Sequence, residues 1–197
     1  MRADGSDEAE LLLPRTKDQN QPSWHRNGKV LIFSEDNFKT ATDILVWSED
    51  GKVSIFLDTP FNEVAPCFSA NGQWVAYASD KTGRYEIHVR PYPDGEDYPI
   101  SSDGGSEPRW SSSGRELFYR NGDSMMAVPI EYEPIFKPGV PHPLFEDSYD
   151  SLSECPFHDV ADDGQRFIMI GRISPSAEIR VVRNWIDDLK LFFQTGK

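Results

Sequence analysis

Gly28, Gly72, Gly114 and Gly164 each follow a turn-forming residue: Asn27, Asn71, Ser113 and Asp163. Each glycine has a large apolar residue four places before it (Trp24, Phe68, Trp110, Val160) and an apolar-rich stretch after it. The intervals between them are 44, 42 and 50 residues. A period in the forties with several short strands per unit is the mark of β-propeller blades. Tight turns between antiparallel strands need a residue that accepts positive φ, which Asn-Gly and Asp-Gly supply. One blade cannot cover both faces of its own sheet, so blades must stack around an axis.

The expected fold class is therefore all-β, a partial β-propeller of about four four-stranded antiparallel blades with a short C-terminal helix. Expected boundaries are a disordered tail over 1–9, then the last strand of a preceding blade and a linker over 10–21. Blade 1 follows over 22–64, blade 2 over 65–106, blade 3 over 107–155, and blade 4 with the helix over 156–197. The leftover strand is read at Glu10–Leu13. In blade 2, strands are expected at Ala65–Ser69, Gln73–Ser79, Tyr85–Arg90 and Asp97–Ser101. In blade 3, Asn121-Gly122 joins Glu116–Arg120 to Ser124–Pro129, and the extra length forms a Pro-rich loop over Glu131–Val140. In blade 4, Glu178–Arg183 is the third strand. Trp185, Ile186, Leu189, Phe192 and Phe193 then recur at helical spacing.

At its turns the chain resembles the TolB-type, WD-like β-propeller repeat, whose unit runs Pro-x-aromatic-Ser-x-Asp-Gly. Pro66-Cys67-Phe68-Ser69-Ala70-Asn71-Gly72 and Pro108-Arg109-Trp110-Ser111-Ser112-Ser113-Gly114 carry the likeness. The aspartate of that pattern is kept as Asp163 only. Further segments resemble the C-terminal propellers of bacterial receptor-like serine/threonine protein kinases. They are Thr59–Glu63, Gly83–Pro93, Gly114–Arg120, Asp163–Phe167 and Val181–Trp185. The resemblance implies a sensor or interaction domain, attached in relatives to a kinase domain that this sequence does not contain. It also implies an extracytoplasmic propeller, although the sequence shows no signal peptide and no apolar run long enough to span a membrane.

The remaining residues point away from chemistry. A net charge of -13 argues against nucleic acid, which recruits clustered Lys and Arg. Cys67 and Cys155 are read as free thiols rather than a disulfide. Asp159, Asp162 and Asp163 before Gly164 depart from calcium-loop spacing and read as a solvated turn. Lys81-Thr82-Gly83 stands without the companion motifs of penicillin-binding enzymes, and no Gly-x-Ser-x-Gly elbow is present. His25, His88, His142 and His158 show no paired spacing. Trp24, Phe68, Trp110, Phe33, Tyr77 and Tyr119 occupy equivalent repeat positions and are expected to pack in the core. Trp47, Trp74 and Trp185 fall outside that register. The acid pairs Glu35-Asp36, Glu49-Asp50 and Asp187-Asp188 are expected in solvated turns or on the helix's polar face. No catalytic, cofactor-binding or metal-binding residue is therefore expected, and no cofactor. The expected role is a non-catalytic module with a protein or peptide partner. The alternatives are the propeller portion of a receptor-like kinase or prolyl-oligopeptidase-type peptidase, or a TolB-like periplasmic translocation factor.

Overall fold

The computed structural model describes residues 11–14, 16–146, 158–173 and 176–183, with side chains up to Ile170. It holds four antiparallel sheets that follow one another along the chain. The first contains β1 (Gln19–Trp24), β2 (Val30–Asn37), β3 (Ala41–Ser48) and β4 (Val53–Leu57). The second contains β5 (Glu63–Phe68), β6 (Trp74–Ser79), β7 (Glu86–Pro91) and β8 (Tyr98–Pro99). The third is β9 (Ser106–Trp110), β10 (Glu116–Asn121) and β11 (Ser124–Glu131), with β12 (Lys137–Pro138) and β13 (His142–Glu146) sharing the outer edge of β11. The described part of the fourth is β14 (His158–Val160), β15 (Arg166–Ile173) and β16 (Ser176–Arg183).

Each sheet is a meander, and the first strands of successive sheets pack on one another: β1 on β5, β5 on β9, β9 on β14. These strands form the inner edge of a blade stack. The second strands of blades 2 and 3, β6 and β10, are buried on both faces because alternate residues serve two junctions, whereas β15 of blade 4 buries Phe167 and Met169 and leaves Ile168 and Ile170 exposed. Phe68, Val75 and Tyr77 of blade 2 meet Ile32, Ile44, Val46, Phe56 and Leu57 of blade 1. From the other face of blade 2, Ala76, Ala78, Ile87 and Val89 meet Leu117, Tyr119, Val128 and Ile130 of blade 3. Phe118, Met125, Ala127 and Leu144 of blade 3 then meet Phe167 and Met169 of blade 4.

The repeat turns share one geometry. Gly28, Gly72, Gly114 and Gly164 have φ of 70°, 73°, 71° and 66°. Each glycine N–H donates to the carbonyl three residues back, at 2.8–2.9 Å. The residue before the glycine keeps negative φ and works through its side chain. Asn27, Asn71 and Asp163 Oδ1 accept from the backbone N–H two residues on, at 2.9, 3.0 and 3.0 Å, and Ser113 Oγ does so at 3.3 Å. Any small residue with an acceptor oxygen can fill this position.

Several expectations change. Leu11–Leu13 lies within the leftover strand expected at Glu10–Leu13 but is not a strand; Leu13 instead packs against Leu31, Phe33, Leu45 and Trp47 of blade 1. The Pro-rich stretch of blade 3 is a packed element rather than spare length. Its Phe136 is buried, stacks on Trp74 at 4.2 Å and meets Tyr98 edge-on at 4.8 Å. Trp24 is 53% exposed, because its face of blade 1 has no described blade opposite. Glu35 lies inside β2, buried, with Gln19 Nε2 at 3.1 Å and Lys17 Nζ at 3.7 Å. The β2 ladder runs on to Asn37, which turns Glu35 into the sheet instead of a turn. The expected helix with Trp185 and Asp187-Asp188, the tail over 1–9 and Cys155 lie outside the described residues. Cys67 is a buried free thiol donating to the Pro108 carbonyl at 3.2 Å, and burial pushes its pKa up to about 11.

Candidate functional site

The inner strands carry an unusual backbone feature at a repeated position. Gln21, Ala65 and Glu107 have φ of 55°, 54° and 55°, each directly before a proline. Each sits in a β-bulge: between Asn20 and Ser23, between Val64 and Cys67, and between Ser106 and Arg109. A left-handed non-glycine residue costs on the order of 1–2 kcal/mol, so its surroundings must hold it there. Two of the three do so through side chains that reach the next blade. Gln21 Oε1 accepts the Ala65 N–H at 2.6 Å and the Ser34 hydroxyl at 2.8 Å. Glu107 Oε2 faces His158 Nδ1 at 3.2 Å in a fully buried pair. Burial holds the His158 imidazole below its ordinary pKa, with Glu107 opposing.

Gln21 also lines the wall of a cavity of about 510 Å³ at one end of the blade 1–blade 2 junction. Asp18 just before β1 and the strand's first residues Gln19 and Asn20 contribute to it, the end of β2 contributes Ser34 and Asp36, and β3 contributes Thr42. Blade 2 closes it with Asn62, Val64 and Tyr85. Hydrogen bonds within each blade fix the mouth. The Asp36 N–H donates to the Asp18 carbonyl at 3.1 Å, and Asn62 donates to both Asp80 carboxylate oxygens at 2.9 and 2.7 Å. Behind the wall, burial raises the pKa of Glu63 to about 7. The Thr59 hydroxyl and N–H partly offset this, while Asp43 and Asp80 add to it.

Chemically the cavity presents carboxamides, carboxylates, hydroxyls and a phenol. Its serine donates to an amide oxygen, which cannot act as a base. This set suits hydrogen bonding to a peptide-like or cationic group. A second cavity, also about 510 Å³, lies beside β7 and is lined by Thr82, Arg84, Glu86, His88, Ser101 and Ser102 among others. Glu86 there is tied to Arg84 Nε at 2.8 Å, to the Gly104 N–H at 2.9 Å and to the Ser101 hydroxyl. Both ring nitrogens of His88 are buried without a hydrogen-bond partner, and burial lowers its pKa to about 4.

The residues singled out in the sequence fall elsewhere. Lys81-Thr82-Gly83 closes a turn, with the Gly83 N–H on the Asp80 carbonyl at 2.8 Å. Asp163 is taken by its turn and by Arg166 Nε at 2.9 Å, and Asp159 Oδ1 by the Val160 N–H at 2.9 Å. His25 sits in the blade 1 turn against Phe68, while His142 is exposed on β13. Among the described residues no group of three His, Cys, Asp or Glu is placed to hold a metal ion. No described helix is long and apolar enough to cross a membrane. The cavity residues carry no sequence motif. The one available signal was the recurrence of a residue before proline (Gln21, Ala65, Glu107) seven places ahead of the first three turn glycines, Gly28, Gly72 and Gly114.

No family model and no curated protein matches the sequence. Solved structures match in shape. TolB from Acinetobacter baumannii superposes with a TM-score of 0.66 at 14% identity, over 84% of this chain and 40% of that one. A protein assigned as TolB from Agrobacterium tumefaciens gives 0.56 at 17% identity, over 69% of this chain and 52% of that one. A prolyl endopeptidase gives 0.56 at 15% identity, over 85% of this chain and 28% of that one. The chain thus spans about half or less of each of these proteins, and at such identities the likeness speaks for the fold alone. The meander sheets, the inner-strand contacts and these neighbours together make the chain a partial β-propeller of the kind found in TolB-type proteins and in propeller domains of peptidases.

Proposed function

We propose that this chain is a non-catalytic propeller fragment that binds a protein or peptide as an interaction or sensor domain. The observation that carries the reading is the cavity at the blade 1–blade 2 junction. Its hydrogen-bonding groups are set on rigid strands, and its carboxylates Asp18 and Asp36 favour a partner segment bearing Lys, Arg or a free amino terminus. Association with a receptor-like kinase, as the sequence resemblance implies, would make the propeller its extracytoplasmic sensor.

The test is selection of displayed random peptides on the immobilised chain, followed by titration against wild type, Asp36→Arg and Tyr85→Ala. Selected peptides should be basic and should bind both variants at least roughly tenfold more weakly, as expected for a central contact. An absence of enrichment, or enrichment indifferent to both changes, contradicts the reading. A second reading, the propeller portion of a peptidase, is favoured by the prolyl endopeptidase likeness. It calls for a hydrolase domain encoded in the same reading frame, which sequencing of the coding region decides. A TolB-like translocation factor should instead show a signal peptide and a separate N-terminal domain there.

A further inference from the structure

Three Asn-Gly pairs occur in the chain: Asn27-Gly28, Asn71-Gly72 and Asn121-Gly122. Such a pair can modify itself, because the glycine nitrogen can attack the asparagine side-chain carbon and glycine has no Cβ to obstruct the approach. In a folded chain the reaction needs two groups free, the glycine N–H and the asparagine carboxamide.

In the first two pairs both groups are engaged. The Gly28 N–H donates to the His25 carbonyl at 2.8 Å, and Asn27 Oδ1 accepts the Lys29 N–H at 2.9 Å. The Gly72 N–H donates to the Ser69 carbonyl at 2.8 Å. Asn71 Oδ1 accepts the Ser69 hydroxyl at 2.7 Å and the Gln73 N–H at 3.0 Å, and its Nδ2 donates to Gln73 Oε1 at 3.3 Å. Gly72 is also buried against the His25 ring.

The third pair sits in a different turn. Asn121 ends β10 opposite Ser124, so Gly122 and Asp123 form a two-residue hairpin turn with Gly122 at φ 58°. No described residue hydrogen-bonds the Gly122 N–H or the Asn121 carboxamide. Gly122 is exposed, with no atom within 4 Å of the place where a Cβ would stand. Arg120 Nε and Nη2 hold the Gly122 carbonyl at 3.2 and 2.6 Å, which anchors the peptide without using its N–H.

We propose that Asn121 is a self-modification site, deamidating through its own backbone in the folded chain ahead of Asn27 and Asn71. Water or hydroxide takes the Gly122 N–H proton, and the nitrogen bonds to the Asn121 Cγ. The Cγ–Nδ2 bond breaks and ammonia leaves with a proton, giving a five-membered imide. A water molecule then opens the imide at either carbonyl. One opening gives aspartate, and the other gives isoaspartate, which lengthens the hairpin main chain by one carbon. Either product adds a negative charge beside Asp123. The Asn121 Oδ1 lies over Gly104, 2.8 Å from where a Cβ would stand, and the Gly104 N–H donates to Glu86 Oε1 at 2.9 Å. The new charge therefore falls at the contact between blade 3 and the segment that holds Glu86.

The test is to age the whole wild-type chain in mildly alkaline buffer and follow each Asn-Gly peptide by mass spectrometry, with circular dichroism confirming that the chain stays folded. Reaction at Asn27 or Asn71 requires at least two hydrogen bonds to open first, so Asn121 should convert at least about tenfold faster than either. Its products should include isoaspartate, detected by isoaspartyl methyltransferase. In denaturant the three rates should converge, because the locks are gone. Conversion at Asn27 or Asn71 as fast as at Asn121 in the folded chain overturns the inference. So does a folded Asn121 that stays intact while the denatured one reacts, or a product that is aspartate alone. The readout is chemical conversion, so failure of peptide binding would leave it standing, and the reverse holds too.

Discussion

The blade 1–blade 2 and blade 2–blade 3 junctions join similar sheets by different means. In the first, the left-handed Gln21 reaches across and satisfies the Ala65 N–H, and the Ser23 hydroxyl accepts from the Phe68 N–H at 3.3 Å. In the second, the left-handed residue on the near side is Ala65, whose methyl can satisfy nothing beyond its own blade. There the Cys67 thiol, the Trp110 indole and an aromatic cluster of Trp74, Tyr98, Tyr132 and Phe136 do the joining. The cavity opens at the polar end of the first junction, beside its apolar cluster of Phe68, Val75 and Tyr77 on Ile32, Ile44 and Val46, while in the second junction rings fill the outer space. Shared backbone geometry, then, leaves the function of a junction to its side chains.

Substitutions should separate the two. The largest effect is expected at Phe136→Ala, which empties the buried aromatic clamp and should cost about 3–5 kcal/mol in denaturant unfolding. A loss below about 1 kcal/mol would mean that the outer loop is not part of the core. Next comes Gln21→Ala, which leaves the Ala65 N–H without its acceptor and should cost about 1–3 kcal/mol. If Gln21→Ala matches wild type, the polar tie does not hold the junction.

A smaller effect is expected at Glu63→Gln, and it should depend on pH. The folded pKa of Glu63 lies above its ordinary value of 4.5, at about 7. The folded state therefore binds more protons between those values, and its contribution to stability is present below about 4.5 and is lost as pH rises through about 7. Glu63→Gln should raise the melting point at pH 8 and change it little at pH 4; equal shifts at both would contradict the burial argument. His88 works in the opposite sense. Its folded pKa is depressed to about 4, so the stability that it contributes is present above about 6.5 and falls away as pH drops through about 4. His88→Phe should flatten that acid limb in thermal melts followed from pH 7 to pH 4, and an unchanged limb would show that another group controls it.

The fold was legible because its signals are local and repeat. A turn glycine, an acceptor oxygen before it and apolar flanks recur at blade spacing, and each requires only neighbouring residues. The cavity was not legible, because Asp18, Asp36 and Tyr85 are brought together only once blades 1 and 2 stack. Glu35 shows the same limit. Adjacent acids suggest a turn, but the β2 ladder extends through them and Gln19 and Lys17 meet the buried carboxylate. Phe136 was hidden by its setting, since Pro134 and Pro138 beside it mark a loop even where the loop's ring completes a core. Trp24 misled for another reason. Its face of blade 1 has no described blade opposite, so the equivalence by repeat does not carry burial with it.

The most direct test of the two-junction account is amide hydrogen exchange at the inner strands. In the wild-type chain the Ala65 and Phe68 N–H groups should be protected by Gln21 and Ser23. Gln21→Ala should speed exchange at Ala65 by roughly tenfold or more, while the amides of β9 and β10 keep their wild-type rates. Uniform acceleration across both junctions, or none at Ala65, would contradict the claim that the Gln21 tie is particular to the blade 1–blade 2 junction.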